Sequence, residues 1–202
     1  MKKIFSMIVA LVATVSVFAQ QPEGTLSVAP KAGINLASAT NSEMGMRLGL
    51  VAGVDLTYQM SEKFAISGGL FYSQQGAKES EDGATAKMNF DYFNVPILAN
   101  YYVAPGLAIK AGIQPGAILS SKMKMDVDGH SVMDEDMKRL TNSFDLSIPV
   151  GISYEISNFI IDARYNFGVT QIQKETEHSH YDIDEKSRNS VIMLTVGYKF
   201  NL

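Results

Sequence analysis

Three histidines, His130, His178 and His180, are the side chains best suited here to metal ligation or to proton transfer near neutral pH. Two of them lie in Glu175-Thr176-Glu177-His178-Ser179-His180-Tyr181-Asp182-Ile183-Asp184-Glu185. Imidazoles among carboxylates can hold zinc or copper. Beyond closeness no ligand spacing is met, so a solvated acidic loop is the preferred reading and His178 and His180 stand only as candidate metal ligands. Asp126-Val127-Asp128-Gly129-His130, followed by Asp134, Glu135 and Asp136, approaches a calcium loop but lacks the acidic residue at the required distance. His130-Ser131 and His178-Ser179 can be imagined as base and nucleophile of a hydrolase, but neighbours in sequence do not make a triad. No catalytic residue is assigned, no cofactor is implied, and the chain is expected not to be an enzyme. Met123, Met125, Met133 and Met137 can mark a partner surface, a copper tract or the apolar half of a strand running beyond a membrane; the last is preferred.

All these residues fall in polar stretches, and what separates the stretches is the stronger signal. The chain ends Thr195-Val196-Gly197-Tyr198-Lys199-Phe200-Asn201-Leu202. Ile192, Leu194, Val196, Tyr198, Phe200 and Leu202 share one face at period two. In water such a terminal strand would be an adhesive edge. In a membrane barrel, lipid covers its apolar face and the first strand covers its edge. Gly197, Phe200 and Leu202 also fit the spacing of the C-terminal signal read by barrel-assembly machinery.

Lys2 and Lys3 precede an apolar run from Ile4 to Val17, then Val17-Phe18-Ala19 and polar Gln20-Gln21-Pro22. This is the pattern of a secretory leader cleaved after Ala19, giving a leader at 1–19 and one domain at 20–202. The sequence has no cysteine, so neither lipidation at the cleavage site nor disulfide stapling is available. Without the leader, 15 basic residues face 21 acidic ones, a net charge near −6. That balance excludes a basic nucleic-acid face. No later stretch is long and apolar enough for a transmembrane helix, which leaves a β-barrel as the way to span a bilayer.

Eight segments alternate apolar and polar residues over the length of a membrane strand. They are Ser27 to Ala37, Met46 to Met60, Phe64 to Gly76, Met88 to Val103, Leu107 to Ser120, Ser143 to Ile156, Phe159 to Gln173 and Ser190 to Leu202. Their connections alternate too. Ser61-Glu62-Lys63, Ala104-Pro105-Gly106 and Ser157-Asn158 are tight turns, whereas 38–45, 77–87, 121–142 and 174–189 are long and polar. Three short and four long connections fit an even-stranded, up-and-down antiparallel barrel with both mature termini in the periplasm. Tyr58, Phe64, Tyr101, Tyr102, Tyr154, Phe159, Tyr198 and Phe200 sit beside the short turns and read as a periplasmic aromatic girdle. The other phase carries Gly49, Gly53, Gly69, Gly112, Gly116, Gly151, Gly168 and Gly197, and the charges Arg47, Asp55, Lys110, Asp145, Glu155, Asp162, Arg164 and Lys199. Those charges must point into the lumen, which is then a polar plug. Asp162→Asn is expected to cost less than Leu194→Arg, because the neighbours of Asp162 can pair again.

Asp91-Tyr92-Phe93-Asn94-Val95-Pro96-Ile97-Leu98-Ala99-Asn100-Tyr101-Tyr102 resembles the Tyr-x-x-x-Ile/Val-Pro-Leu/Ile-Leu strand of the PorT-like outer-membrane β-barrel family. Gly69-Leu70-Phe71-Tyr72-Ser73-Gln74-Gln75-Gly76 and Lys31-Ala32-Gly33-Ile34-Asn35-Leu36 resemble that family's strand end and opening strand. The resemblance implies a small barrel of the OmpA/OmpX type, supplies no catalytic residue, and admits an accessory role in a type IX-like secretion system. The leading expectation is a non-enzymatic outer-membrane protein whose loops serve adhesion, interaction or envelope assembly. A small-solute channel is the other alternative. Expected partners are outer-membrane lipid and lipopolysaccharide (whose phosphates acidic loops can reach through divalent cations), the assembly machinery, and envelope or secretion proteins.

Overall fold

The computed structural model describes residues 22–40, 45–81, 84–127, 130–138, 141–172 and 187–202. The expected leader and the His178–His180 pair lie outside the described residues, as do Asp128 and Gly129 of the calcium-like stretch. The strands are β1 (Leu26–Ala39), β2 (Gly45–Ser61), β3 (Phe64–Glu81), β4 (Ala84–Asn94), β5 (Ile97–Ala104), β6 (Leu107–Val127), β7 (His130–Asp136), β8 (Phe144–Ile156), β9 (Phe159–Gly168), β10 (Asn189–Tyr198) and β11 (Phe200–Asn201). β4 and β5 form one stave broken at Val95-Pro96, and β10 with β11 forms another. Among the described residues, β7 pairs with β6 alone. The ring therefore has eight staves, all antiparallel, as the alternation in the sequence predicts.

Closure follows from the two ends of the chain. β1 pairs with β10 from Lys31↔Gly197 to Ala39↔Asn189, and with β11 through Ser27↔Asn201 and Val28↔Phe200. Neither terminal strand keeps a free edge. Register steps from Leu26 through Tyr58, Ile66, Ala99, Ala111, Val150, Tyr165 and Ile192 return to β1 at Leu36. The offset from position 26 to position 36 is the barrel's shear. With eight staves it sets a strand tilt of about 45° and a lumen just wide enough for side chains to fill.

The two faces are sorted opposite to a water-soluble core. Leu48, Leu50, Leu56, Leu70, Ile109, Ile148, Ile152 and Leu194 point outward and are exposed, while Asp55, Lys110, Asp162 and Arg164 are buried inside. In lipid this arrangement removes apolar surface from water and keeps charges out of hydrocarbon. The short turns fall at Glu62-Lys63, Pro105-Gly106 and Ser157-Asn158, with Gly106 at φ 73° and Ser157 at φ 55°. Left-handed conformations of this kind are what tight turns require.

Three expectations change. The segment 77–87 is not a polar loop: β3 and β4 stay paired to Glu81↔Ala84. Most of 121–142 is likewise strand, because β6 continues to Val127 beside both β4 and β7. Beyond the membrane the outward face needs no apolar residues, so the alternation that marks a lipid-facing strand fades while the hydrogen-bond ladder persists. The preferred reading of the methionines, a strand extension, holds for Met123 and Met125. Finally, Tyr102 is no girdle residue. Tyr101 faces out, so its neighbour must face in, and Tyr102 is buried in the lumen.

Candidate functional site

The lumen is filled in layers, each built from inward positions on several staves. At the end bearing the short turns, Lys199 pairs with Glu155, whose Oε1 accepts a hydrogen bond from the Tyr102 hydroxyl at 2.9 Å. Ala65 and Ala108 pack against Tyr102. Asn100 donates to Ser67 Oγ at 3.1 Å just above.

The middle layer is an ion network. Lys31 Nζ lies 2.6 Å from Asp55 Oδ2 and 3.2 Å from Asp162 Oδ2. Lys110 Nζ reaches the same Asp162 oxygen at 2.7 Å, and Arg164 Nε reaches Asp162 Oδ1 at 2.6 Å. Arg164 Nη2 stands 3.5 Å from Asp55, and its guanidinium lies 5.5 Å from the centre of the Phe71 ring. All five residues are buried. Burying charges is costly unless each is paired with good geometry, and here every charge has an opposite within reach. Three cations share two carboxylates, and Asp162 alone touches all three. On Asp162→Asn, Asp55 would remain for Lys31 and Arg164, but Lys110 would lose the carboxylate it pairs with, so the neighbours can pair again only in part.

The inward glycines explain how long side chains fit. Gly197 sits opposite Lys31, and a Cβ there would lie 2.5 Å from Lys31 Cγ. A Cβ on Gly69 would lie 2.3 Å from Asp55 Oδ1, and one on Gly151 would lie 2.8 Å from Arg164 Cγ. Glycine and charge are therefore complements: the small residue on one stave vacates the volume that the long residue on the next occupies.

Above the network, Val51, Phe71 and Met193 form an apolar layer. Next, Asn189 Nδ2 donates to the Tyr92 hydroxyl at 2.7 Å, and Thr170 Oγ1 donates to Asp145 Oδ1 at 3.1 Å. Phe90, Tyr92, Ile118 and Ile172 cap the far end, with Ala39 and Met88 packed against them. Such a stack ties the staves together across the lumen and sets side chains along the barrel axis.

Of the charges predicted to face inward, Asp55, Lys110, Asp145, Glu155, Asp162, Arg164 and Lys199 are buried, and Arg47 is half-buried with Nη1 donating to the Gln75 carbonyl. The residue missed is Lys31. Ile34 and Leu36 face out, so parity alone puts Lys31 inward with Asn35; its place in a family-like motif obscured that signal. Asp126, from the calcium-like stretch, pairs with Lys87 at 3.2 Å. His130 lies in β7, which hydrogen-bonds to β6 at Val127↔His130.

Beyond the plug, β3, β4, β6 and β7 continue as a four-stranded sheet. On the outer face of β3, β4 and β6 the large apolar residues end at Tyr72, Phe93 and Leu119. Above them the same face carries Gln74, Lys78, Lys87, Asp91, Lys122 and Lys124.

The family of outer membrane protein beta-barrel domains matches residues 18–174. No curated protein matches the sequence. Among solved structures, Ail, the attachment invasion locus protein of Yersinia pestis, is 16% identical with a TM-score of 0.51 over 88% of this chain and 99% of that one. Ail in complex with the heparin analogue sucrose octasulfate gives 17% and 0.51 over the same shares. Neisserial surface protein A is 16% identical with a TM-score of 0.50 over 88% of this chain and all of its own. At these identities the likeness is one of fold.

Proposed function

The chain belongs to the outer membrane protein beta-barrel family, and we propose that it is a sealed, non-enzymatic barrel that displays its projecting sheet for interaction, adhesion or envelope assembly. The observation that carries this reading is the continuation of β3, β4, β6 and β7 past the apolar belt, over a lumen filled by the Lys31–Asp55–Lys110–Asp162–Arg164 network. A barrel built for passage would keep its axis open; this one invests its extra strand length outside the bilayer. The leader at 1–19 delivers the chain across the inner membrane. Gly197, Phe200 and Leu202 present the terminal strand to the assembly machinery, both mature termini lie in the periplasm, and the sheet stands on the cell surface of a Gram-negative bacterium.

An accessory role in type IX-like secretion rests on the PorT-like motif. In this fold that motif has a structural office. Pro96 has no N–H to give, the stave breaks there, and the displaced ladder is satisfied by Gly69 N–H donating to the Pro96 carbonyl at 2.9 Å and Val95 N–H to Pro115 at 2.8 Å. The motif therefore serves the stave and does not favour secretion over display.

The absence of native cysteine makes the test simple. Glu135→Cys on β7 and Asn158→Cys in a short turn are each expressed and treated on intact cells with a membrane-impermeant maleimide. Labelling of Cys at 135 and not at 158 supports display. The reverse pattern means the sheet points into the periplasm.

A further inference from the structure

Methionine gathers at one place in this barrel. Met88 on β4 is directly opposite Met123 on β6, and Met125, two residues on, is directly opposite Met133 on β7. Phe90 and Ser121, a step lower on β4 and β6, are buried toward the axis. Alternation therefore puts Met88, Met123 and Met125 on the axis-facing side of the projecting sheet, where all three are half-buried. Met88 rests on the cap formed by Phe90, Tyr92, Ile118 and Ile172.

The register brings these residues together. Leu119 is a bulge residue: Tyr92 pairs with Ile118, but Asp91 pairs with Ser120. A bulge shifts every later side chain of its strand to the other face. Without it, Met123 and Met125 would face away from Met88, and Lys122 and Lys124 would take their place. With it, Lys78, Lys87, Lys122 and Lys124 share the outer face and the thioethers share the inner one. Glu135 is the register partner of Met123 on β7, so the neighbour across that strand pair is a carboxylate and not an ammonium.

Apolar filling alone does not account for the residue type. Just below, the same face is filled by Phe90, Tyr92 and Ile118, the aromatic and β-branched residues that suit a strand. Above that cap the chain changes to an unbranched side chain with a polarisable sulfur. Residues directly opposite on neighbouring strands have β-carbons about 4.5–5.5 Å apart, and positions two apart on one strand are about 7 Å apart. Three flexible methionines at that spacing can turn their sulfurs onto one ion. Thioethers select copper(I), whereas calcium and magnesium take oxygen ligands. They are also the soft ligands open to a chain with no cysteine, and they form no disulfides in oxidising surroundings.

We propose that Met88, Met123 and Met125 form a binding site for copper(I), with the Glu135 carboxylate offsetting its charge. The site is a property of the folded sheet and does not depend on the surface-display reading.

The test uses the full-length barrel folded in detergent, with its methionine methyl groups labelled with carbon-13. Silver(I), a redox-inert ion of the same charge and softness, is titrated in nitrate buffer. The methyl resonances of Met88, Met123 and Met125 should shift together and saturate at one ion, while those of Met46 and Met60 stay in place. The volume-conserving variant Met123→Leu/Met125→Leu should lose at least on the order of 100-fold in silver affinity, with Met46→Leu/Met60→Leu unchanged. A mobility shift between unheated and boiled samples verifies that each variant barrel is folded. Copper(I), supplied as its acetonitrile complex under argon, should displace the silver, and equimolar zinc(II) should not. Equal shifts at all methionines, equal affinity of the Met123→Leu/Met125→Leu variant and wild type, displacement by zinc, or failure of copper(I) to displace silver overturns the inference. Micellar titration does not depend on which side of the membrane the sheet faces. Failed silver binding beside successful surface labelling at position 135 therefore sinks only this inference, and the converse sinks only the display reading.

Discussion

Lys31 Nζ meets Asp162 Oδ2 at 3.2 Å although 131 residues separate them. Their strands are not neighbours: β10 runs between β1 and β9, and the ammonium passes over it where Gly197 leaves space. The contact exists only after the last stave has closed on the first. The central ion network is thus a consequence of ring closure and a lock upon it.

The charge count of that network orders its mutants. Asp162→Asn leaves Lys31, Lys110 and Arg164 with Asp55 alone and should cost about 3–5 kcal/mol. Lys31→Met leaves two cations with two acids and should cost less. Urea titration of folding into lipid vesicles compares them. A milder effect at Asp162 than at Lys31 would show that the network is not organised around Asp162.

The lipid face makes a different demand. Leu194 is outward on β10, and Leu194→Arg should cost about 2–4 kcal/mol near the midplane. A lipophilic spin label at position 194 should report hydrocarbon, and one at position 162 should not. The opposite result would mean a register displaced by one residue.

Two adjacent glycines separate lumen from lipid within a single step of β3. A Cβ on Gly69 would stand 2.3 Å from Asp55 Oδ1 and 2.7 Å from a Phe71 ring carbon, whereas a Cβ on Gly68 meets nothing within 4 Å. Gly69→Ala should destabilise the barrel by about 1–3 kcal/mol. Gly68→Ala should be nearly neutral. Equal midpoints for the two in the same urea titration would contradict the packing described for Asp55.

These contrasts show what was legible in the sequence. Leu194, Ile148 and the other outward residues announce the lipid face, because alternation with one uninterrupted apolar phase has few other uses. The pairing of the terminal strand with Val28 to Leu36 follows from the need to remove edges, and the register bears it out. The inward charges are recognisable by the same parity, yet their partners are not: Lys31, Asp55, Lys110 and Asp162 come from four staves whose meeting depends on the shear. The projecting sheet escaped for a different reason. Outside the bilayer both faces of β4 and β6 tolerate polar residues, so 77–81, 84–87 and 121–127 look like loop while keeping their ladders. The bulge at Leu119 adds a change of phase that a periodicity count cannot follow.

The terminal strand supplies another test. Phe200 pairs with Val28, the Leu202 N–H donates to the Leu26 carbonyl at 2.9 Å, and Tyr198 stacks edge-on with Phe159 at 5.2 Å. Deleting Phe200 to Leu202 removes closure contacts and the assembly signal together. Export should continue, but outer-membrane insertion should fail and leave periplasmic aggregate or fragments. Deleting Glu177 to Ser179 should leave insertion intact. Equal outer-membrane levels in fractionated cells would remove the terminal strand from its closing role.

Conductance across a planar lipid bilayer tests the sealed-barrel claim most directly. With both carboxylates of the central network engaged by Lys31, Lys110 and Arg164, and apolar layers above, the wild-type barrel should insert without steady current steps at neutral pH. Reproducible steps of defined size would show a continuous water path through that network and would make this protein a channel.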